Sequence, residues 1–197
     1  MTDLAHTSVP RWFTGAPEVL SGAPGVGATS YLLIGVGETA ITLLRRWRHG
    51  LGTGVATEVV THEDVGVVAA ALAEALGRAR VGLRLRLAGP SGACLSLRGM
   101  ALQGGLEDDE ITVVITGPGP IEVSCTHCLT VTSTSVGIGD VTRCVGCQRN
   151  LLVYHHVSRR SGRFMGFMVD AEKAVTSEYG RAETGCHCNR IPSSGDS

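Results

Sequence analysis

With 197 residues, 17 basic and 18 acidic side chains, a net charge of -1 and 43% hydrophobic residues, the chain has room for one domain or two small ones and is too short for a large multidomain enzyme. Its balanced charge provides no overall footprint for phosphate backbones, and no stretch approaches the ~18 to 20 uninterrupted apolar residues of a membrane span, so neither nucleic acid nor membrane is an expected partner. The opening MTDLAHTSVPRWF lacks the basic, apolar and small-residue succession of a secretory signal, which makes the cytoplasm the expected compartment.

Residues 1–29 are rich in proline and glycine without periodicity and are expected to form an irregular arm pinned at Trp12 and Phe13. From Tyr31 the pattern changes. The apolar run YLLIGVG predicts a strand, and ETAITLLRRWRHG a helix with Ile41, Leu43 and Leu44 on one side and arginines opposite. A second cycle follows in GVATEVV and the Ala-rich EDVGVVAAALAEALGRA, a helix begun by His62 or Asp64 and ended at Gly77. In VGLRLRLAG, Val81, Leu83, Leu85 and Leu87 alternate with Gly82, Arg84 and Arg86, which predicts a strand with one wet face at or near a sheet edge. Residues 91–104 are ambiguous between a short helix and irregular structure, EDDE at 107–110 predicts a solvated turn, and ITVVIT predicts a buried strand. Alternating strands and helices over residues 30–119 indicate an α/β fold, a small Rossmann-like domain around a parallel sheet. Gly117-Pro118-Gly119-Pro120 suits neither helix nor central strand and marks the module boundary.

The second module, 120–180, opens on the strongest motif in the chain. Cys125-Thr-His-Cys128 is followed after fifteen residues by Cys144-Val-Gly-Cys147. Two CxxC pairs at this separation match the four-cysteine metal pattern, in which each pair forms a knuckle and both converge on one ion. Soft, anionic thiolates suit Zn2+, and four of them leave no open coordination position, so the expected role is structural. Iron also accepts four thiolates, paired disulfides are the covalent alternative, and His127 could replace one cysteine. The insert LTVTSTSVGIGDVTR predicts a β-hairpin carrying the second knuckle, which makes the module a zinc ribbon.

Between Val141 and Val169 there is no Asp or Glu, while Arg143, Arg149, Arg159, Arg160 and Arg163 are present with His155 and His156. This stretch is either a solvated face or a dock for an acidic partner or an anionic cofactor group. Phe164, Met165, Phe167 and Met168 add apolar surface to it, as part of the module's own core or as an anchor, and the segment 154–169 is the candidate docking element. Cys186-His187-Cys188 falls in an expected flexible tail, 181–197.

Gly35-Val-Gly37-Glu-Thr-Ala40 has the G-x-G-x-x-A form of a dinucleotide turn, with Gly35 and Gly37 as candidate cofactor-binding residues and Glu58 or Glu63 as a ribose ligand. The same glycines serve equally to allow a tight strand-to-helix turn, and Glu38 beside them would repel a phosphate. No catalytic base or nucleophile is recognisable, and Cys94 has no motif around it.

Two families resemble parts of this sequence. YLLIGVGETAIT and VVITGPGPI resemble the first and last strand-turn segments of the pyridine-nucleotide domain of ferredoxin reductase-like flavoproteins, with Thr116 where that family has cysteine; this implies a relict domain reused for assembly. CTHC, CVGC and LLVYHHVSRRSGRFMGFMVDAE resemble the small A-type subunit of bacterial dimethylamine monooxygenase. That resemblance implies a non-catalytic assembly or bridging subunit of an NADPH-dependent complex converting dimethylamine to methylamine and formaldehyde. It also implies a haem-bearing partner subunit, a reductase partner with FMN and [2Fe-2S], and a metal site at Cys125, Cys128, Cys144 and Cys147. The alternative is a small NAD(P)H-binding oxidoreductase component using the Gly35-Gly37 turn.

Overall fold

The computed structural model describes residues 6–14 and 27–169, which form two sheets clasped around one shared helix. A short helix α1 (Arg11–Thr14) precedes β1 (Ser30–Val36), α2 (Glu38–Leu51), β2 (Ala56–His62), α3 (Val65–Gly77), β3 (Leu83–Pro90), α4 (Ser91–Gln103), a 3-10 turn (Asp108–Glu110) and β4 (Ile111–Gly117). β5 (Ile121–Cys125), β6 (Val131–Thr134), β7 (Val141–Arg143), β8 (Asn150–Val157) and β9 (Phe164–Met168) make the second sheet. The chain crosses from one sheet to the other at 118–120.

The first sheet has order β2-β1-β3-β4, all parallel. β1 is an uninterrupted apolar run because helices cover both its faces. Tyr31 and Leu33 pack with Ala40, Leu44, Trp47 and Leu51 on the α2 side. Leu32, Ile34 and Val36 pack with Val68, Leu72 and Leu97 of α3 and α4. The choice between His62 and Asp64 at the start of α3 resolves to Asp64, whose carboxylate accepts from Gly66 N at 2.7 Å, while His62 Nδ1 accepts from Asp64 N at 2.9 Å.

β3 stands one strand in from the β4 edge, within the near-edge position its alternation suggests, but the face expected to be wet is not. Its polar face is covered by side chains distant in sequence. Arg86 is buried with its guanidinium 4.9 Å from the Tyr31 ring and 6.0 Å from the Trp47 ring, and Arg84 is paired with Glu110 at 2.5 Å. ITVVIT, expected to be buried, supplies the other edge strand β4, with only Val113 and Val114 fully buried.

Residues 91–104, ambiguous in sequence, are mostly α4, a helix buried on two sides. Cys94, Leu97 and Ala101 face the core of the parallel sheet, while Leu95 belongs to the core of the second module. On that second face Gly92 meets the Pro120 backbone, Gly99 meets the backbone of 160–162, and Gln103 Nε2 donates to Arg160 O at 2.5 Å.

The second sheet has order β6-β5-β9-β8-β7, with β5 and β9 parallel and the other pairs antiparallel. The residues between the knuckles therefore do not form the expected hairpin with one another. β6 turns back onto β5, and β7 turns forward onto β8, so each knuckle is the turn of its own hairpin. The outermost strands approach through side chains, Thr142 Oγ1 lying 3.2 Å from Thr134 Oγ1 and Val145 N donating to Thr132 Oγ1 at 3.2 Å. The sheet thus curls around Val123, Leu151, Val153 and Phe164.

The described part of the N-terminal arm seals the junction. Phe13 packs on Phe164 with centroids 5.5 Å apart, Trp12 touches both cores, and Ser8 Oγ accepts from Val157 N at 2.8 Å. Asp108 receives both Arg98 of α4 and Arg159 of the β8–β9 turn, which ties the modules together electrostatically. Cys186, His187, Cys188 and the tail expected at 181–197 lie outside the described residues. Among the described residues, no helix is long and apolar enough to cross a membrane.

Candidate metal centre

The two CxxC segments fold into the same local structure. In the first, Cys125 N donates to Thr130 O at 3.0 Å and Leu129 N to Cys125 O at 2.9 Å. In the second, Cys144 N donates to Arg149 O at 2.9 Å and Gln148 N to Cys144 O at 3.0 Å. The residue after each pair, Leu129 or Gln148, takes a left-handed backbone with φ of 63° or 62°. A non-glycine residue there is strained by about 1 to 2 kcal/mol, and the strain at matching positions marks the tight turn that brings each pair of sulfurs together.

All four sulfurs lie within 4.8 Å of one another. Cys125 Sγ is 3.8 Å from Cys147 Sγ and Cys128 Sγ is 3.5 Å from Cys144 Sγ. Sulfurs placed ~2.3 Å from a common ion at tetrahedral angles stand about 3.8 Å apart, whereas a disulfide requires about 2.05 Å. The spacing fits a tetrahedral metal and excludes bridges. The first cysteine of each pair is buried and the second half-buried, and His127 is exposed and outside the cluster.

Electrostatics leads to the same conclusion. Hydrogen bonds from the Thr130 side chain and backbone bring Cys128 down to about 5. Backbone N–H groups of Cys147 and Gly146 also lower Cys144, against opposing desolvation. For Cys147 the Arg149 backbone pulls downward, but desolvation and three neighbouring sulfurs together push it up to about 11. Hydrogen bonding thus favours the thiolate at Cys128 and Cys144 while desolvation opposes it at Cys147, and a cation at the centre would favour the thiolate form of all of them. The donor set therefore suits a soft divalent ion held for structure, with no position left to activate water.

The glycine turn is differently disposed. A Cβ at Gly35 would stand 3.0 Å from Ala40 Cβ and 3.1 Å from Leu44 Cδ2, so this glycine lets α2 pack onto β1. Gly37 has φ 83°, and its N–H donates to His62 O at 3.1 Å, which engages a donor that a phosphate would need. Glu58 lies opposite Leu32, towards the start of β1, paired with Arg78 at 3.3 Å. Glu63 follows β2 and lines a cavity of about 390 Å3 with Val36, Pro90, Met100 and Glu122; neither Gly35 nor Gly37 lines it.

The basic segment is also divided by the fold. Arg163 pairs with Glu122 at 2.8 Å and Arg159 with Asp108, while Phe164 is a core residue and Phe167 is exposed. The double-sided role of α4 was missed in sequence; glycines seven residues apart flanking Leu95 are the signal that could have revealed it.

Comparison with known proteins gives a coherent assignment for this module. Residues 122–167 match the family model described as dimethylamine monooxygenase subunit DmmA-like, C-terminal domain. The curated heme-dependent oxidative N-demethylase delta subunit of Ectopseudomonas mendocina (strain ymp) is 36% identical over 102 residues, covering 52% of this chain and 57% of that protein. The chain thus spans little more than half the length of this relative. No solved structure matches. The matched domain encloses both knuckles and most of β5 to β9, so it is the four-cysteine module of this chain that is similar to the DmmA-like C-terminal domain.

Proposed function

We propose that this chain is a non-catalytic assembly or bridging subunit of a multicomponent, NADPH-dependent haem monooxygenase that oxidatively demethylates dimethylamine to methylamine and formaldehyde in the cytoplasm. Its partners in this reading are a haem-bearing catalytic subunit and a reductase subunit with FMN and [2Fe-2S]. The observation that carries the reading is a closed four-sulfur site inside a DmmA-like domain: Cys125, Cys128, Cys144 and Cys147 offer structure and no reaction centre. The relative's description as a delta subunit supports membership of a complex. Zn2+ is the proposed ion, and metal analysis with an absorption spectrum separates it from iron, whose thiolate site would be coloured.

Co-expression with the haem and reductase subunits of the same host tests the function. Stable co-elution is expected; a chain that stays apart from both subunits refutes it. The alternative, an NAD(P)H-binding component, needs Gly35 and Gly37 to cradle a pyrophosphate, and the Gly37 N–H to His62 O bond weighs against it. Calorimetry with NADPH checks that point, with no heat of binding expected.

A further inference from the structure

The β-strand alternation divides the run from Val141 to Val169 into two sets of side chains. Leu151, Val153, Val157 and Phe164 are buried, and Gly166 lies so close to Val123 and Leu151 that a Cβ would meet them at 2.7 and 3.0 Å. That set fills the module's own core. The other set faces outward. Val141 opposes Leu152 on β8, and Leu152 opposes Phe167 on β9, so the three form one row across the sheet. Tyr154 packs edge-on against Phe167 with centroids 5.2 Å apart, and Met165, two residues before Phe167, shares its face. Val141, Tyr154, Phe167 and Val169 remain 47, 43, 40 and 54% exposed.

The charges around this patch indicate what would cover it. Arg159 and Arg163 are already paired within the chain, with Asp108 and Glu122. Arg143, two residues after Val141 on β7, borders the outer face; its Nε donates to Gln148 O at 3.2 Å, and among the described residues it meets no carboxylate. No acidic residue occurs between Val141 and Val169. A nucleic acid would need stacking platforms, yet Tyr154 and Phe167 pack edge-on against each other and the whole chain is net negative. An aromatic and methionine centre with Arg143 at its border instead suits a protein surface that is apolar at its middle and carries a carboxylate at its edge.

We propose that the outer face of β7, β8 and β9, centred on Tyr154 and Phe167, is the surface on which this chain holds another subunit through an acid-bordered apolar patch. The proposal rests on the assembly function argued above and goes beyond it by naming the face and the chemistry of its partner.

The test uses the full chain co-expressed with the haem and reductase subunits of its host. Y154S/F167S is expected to weaken association about tenfold or more, as loss of two central aromatic contacts does. R143E is expected to weaken it severalfold and to flatten its dependence on salt. V81S, at an exposed valine on the other module, should leave association unchanged. Metal content and melting temperature report whether each variant is folded. A photo-cross-linking residue at position 154, as an independent readout, should join a partner subunit. Cross-linking to a second copy, or to residues 170–197 of the same chain, overturns the proposal. So does a folded Y154S/F167S variant that binds as tightly as the wild type, in which case the assembly function itself survives. A wild-type chain that forms no complex overturns both.

Discussion

Gly92 and Gly99 lie two helical turns apart on the face of α4 that meets the second module, and replacing either by alanine sets two known effects against each other. In an exposed helix, alanine is better than glycine by about 0.8 to 1 kcal/mol. At Gly92, however, an added Cβ would stand 1.7 Å from the Pro120 carbonyl oxygen and 2.7 Å from its carbon. At Gly99 it would stand 2.8 Å from Arg160 O and 3.0 Å from Gly162 N. These are backbone atoms, so no side chain can swing aside. Relief at Gly92 requires α4 and the entry to β5 to separate by more than about 1 Å, and overpacking of this kind costs about 1 to 3 kcal/mol or more. The expected outcome is a net loss in G92A despite its better helix propensity, with a smaller loss in G99A. At about 2 to 4 °C per kcal/mol for a chain of this size, the G92A loss is easily seen in a melting curve of the metal-loaded protein. Gly77, where an added Cβ meets nothing within 4 Å, provides the control, and G77A should be neutral or slightly stabilised. A G92A protein as stable as G77A would refute the picture of a helix clamped between two modules.

The metal site yields a direct substitution test. C128S should lower bound metal well below one ion per chain, whereas C94A should retain it, because Cys94 lies outside the cluster and bonds Gly89 O at 3.5 Å; elemental analysis distinguishes them. Burial pushes the Cys94 thiol up to about 12 from 9.0. The unfolded chain therefore loses this proton first, and stability should fall as pH rises from about 9 towards 12, by at most about 4 kcal/mol from this group. The effect should be absent in C94A, and unfolding midpoints of the two proteins across that pH range decide it. D108A removes the carboxylate shared by Arg98 and Arg159, leaving two guanidinium groups close together. A loss of about 1 to 3 kcal/mol is expected, with part of it restored in D108A/R159A; equal stability of the single and double variants would count against coupling at this carboxylate.

How much of this was legible in the chain depended on how local the determining contacts were. The knuckles were readable because the ligand spacing, the turn and the hydrogen bonds all lie within six residues of one another. The βαβ alternation was readable because β1 is buried on both faces and needs no long-range information to be apolar. β3 misled because the partners that cover Arg86, Tyr31 and Trp47, are far away in sequence. The hairpin expected between the knuckles misled for a related reason. Val131–Thr134 and Val141–Arg143 have the composition of paired strands, but the curled sheet gives each a different neighbour. α4 concealed itself because a helix buried on two sides has no polar stripe to supply a period.

That same helix makes the two modules one mechanical unit, and the consequence can be measured. Leu95 belongs to the core around the sulfurs, whereas Cys94, one residue earlier, is enclosed by the parallel sheet. Trp12 touches both cores. If the four sulfurs hold a structural ion, which in small zinc modules contributes on the order of 10 to 16 kcal/mol of apparent binding energy, stripping it removes a large part of what holds β5 to β9 in place. If α4 is supported by that module, its loss must loosen the packing over Cys94. A thiol reagent should therefore leave Cys94 unmodified in the metal-loaded protein and modify it after chelation, as identified by peptide mass, with re-addition of Zn2+ before labelling restoring protection. Continued protection of Cys94 while the four ligand cysteines react would show that the parallel sheet holds α4 by itself. The metal would then organise only the docking face, without a grip on the rest of the chain.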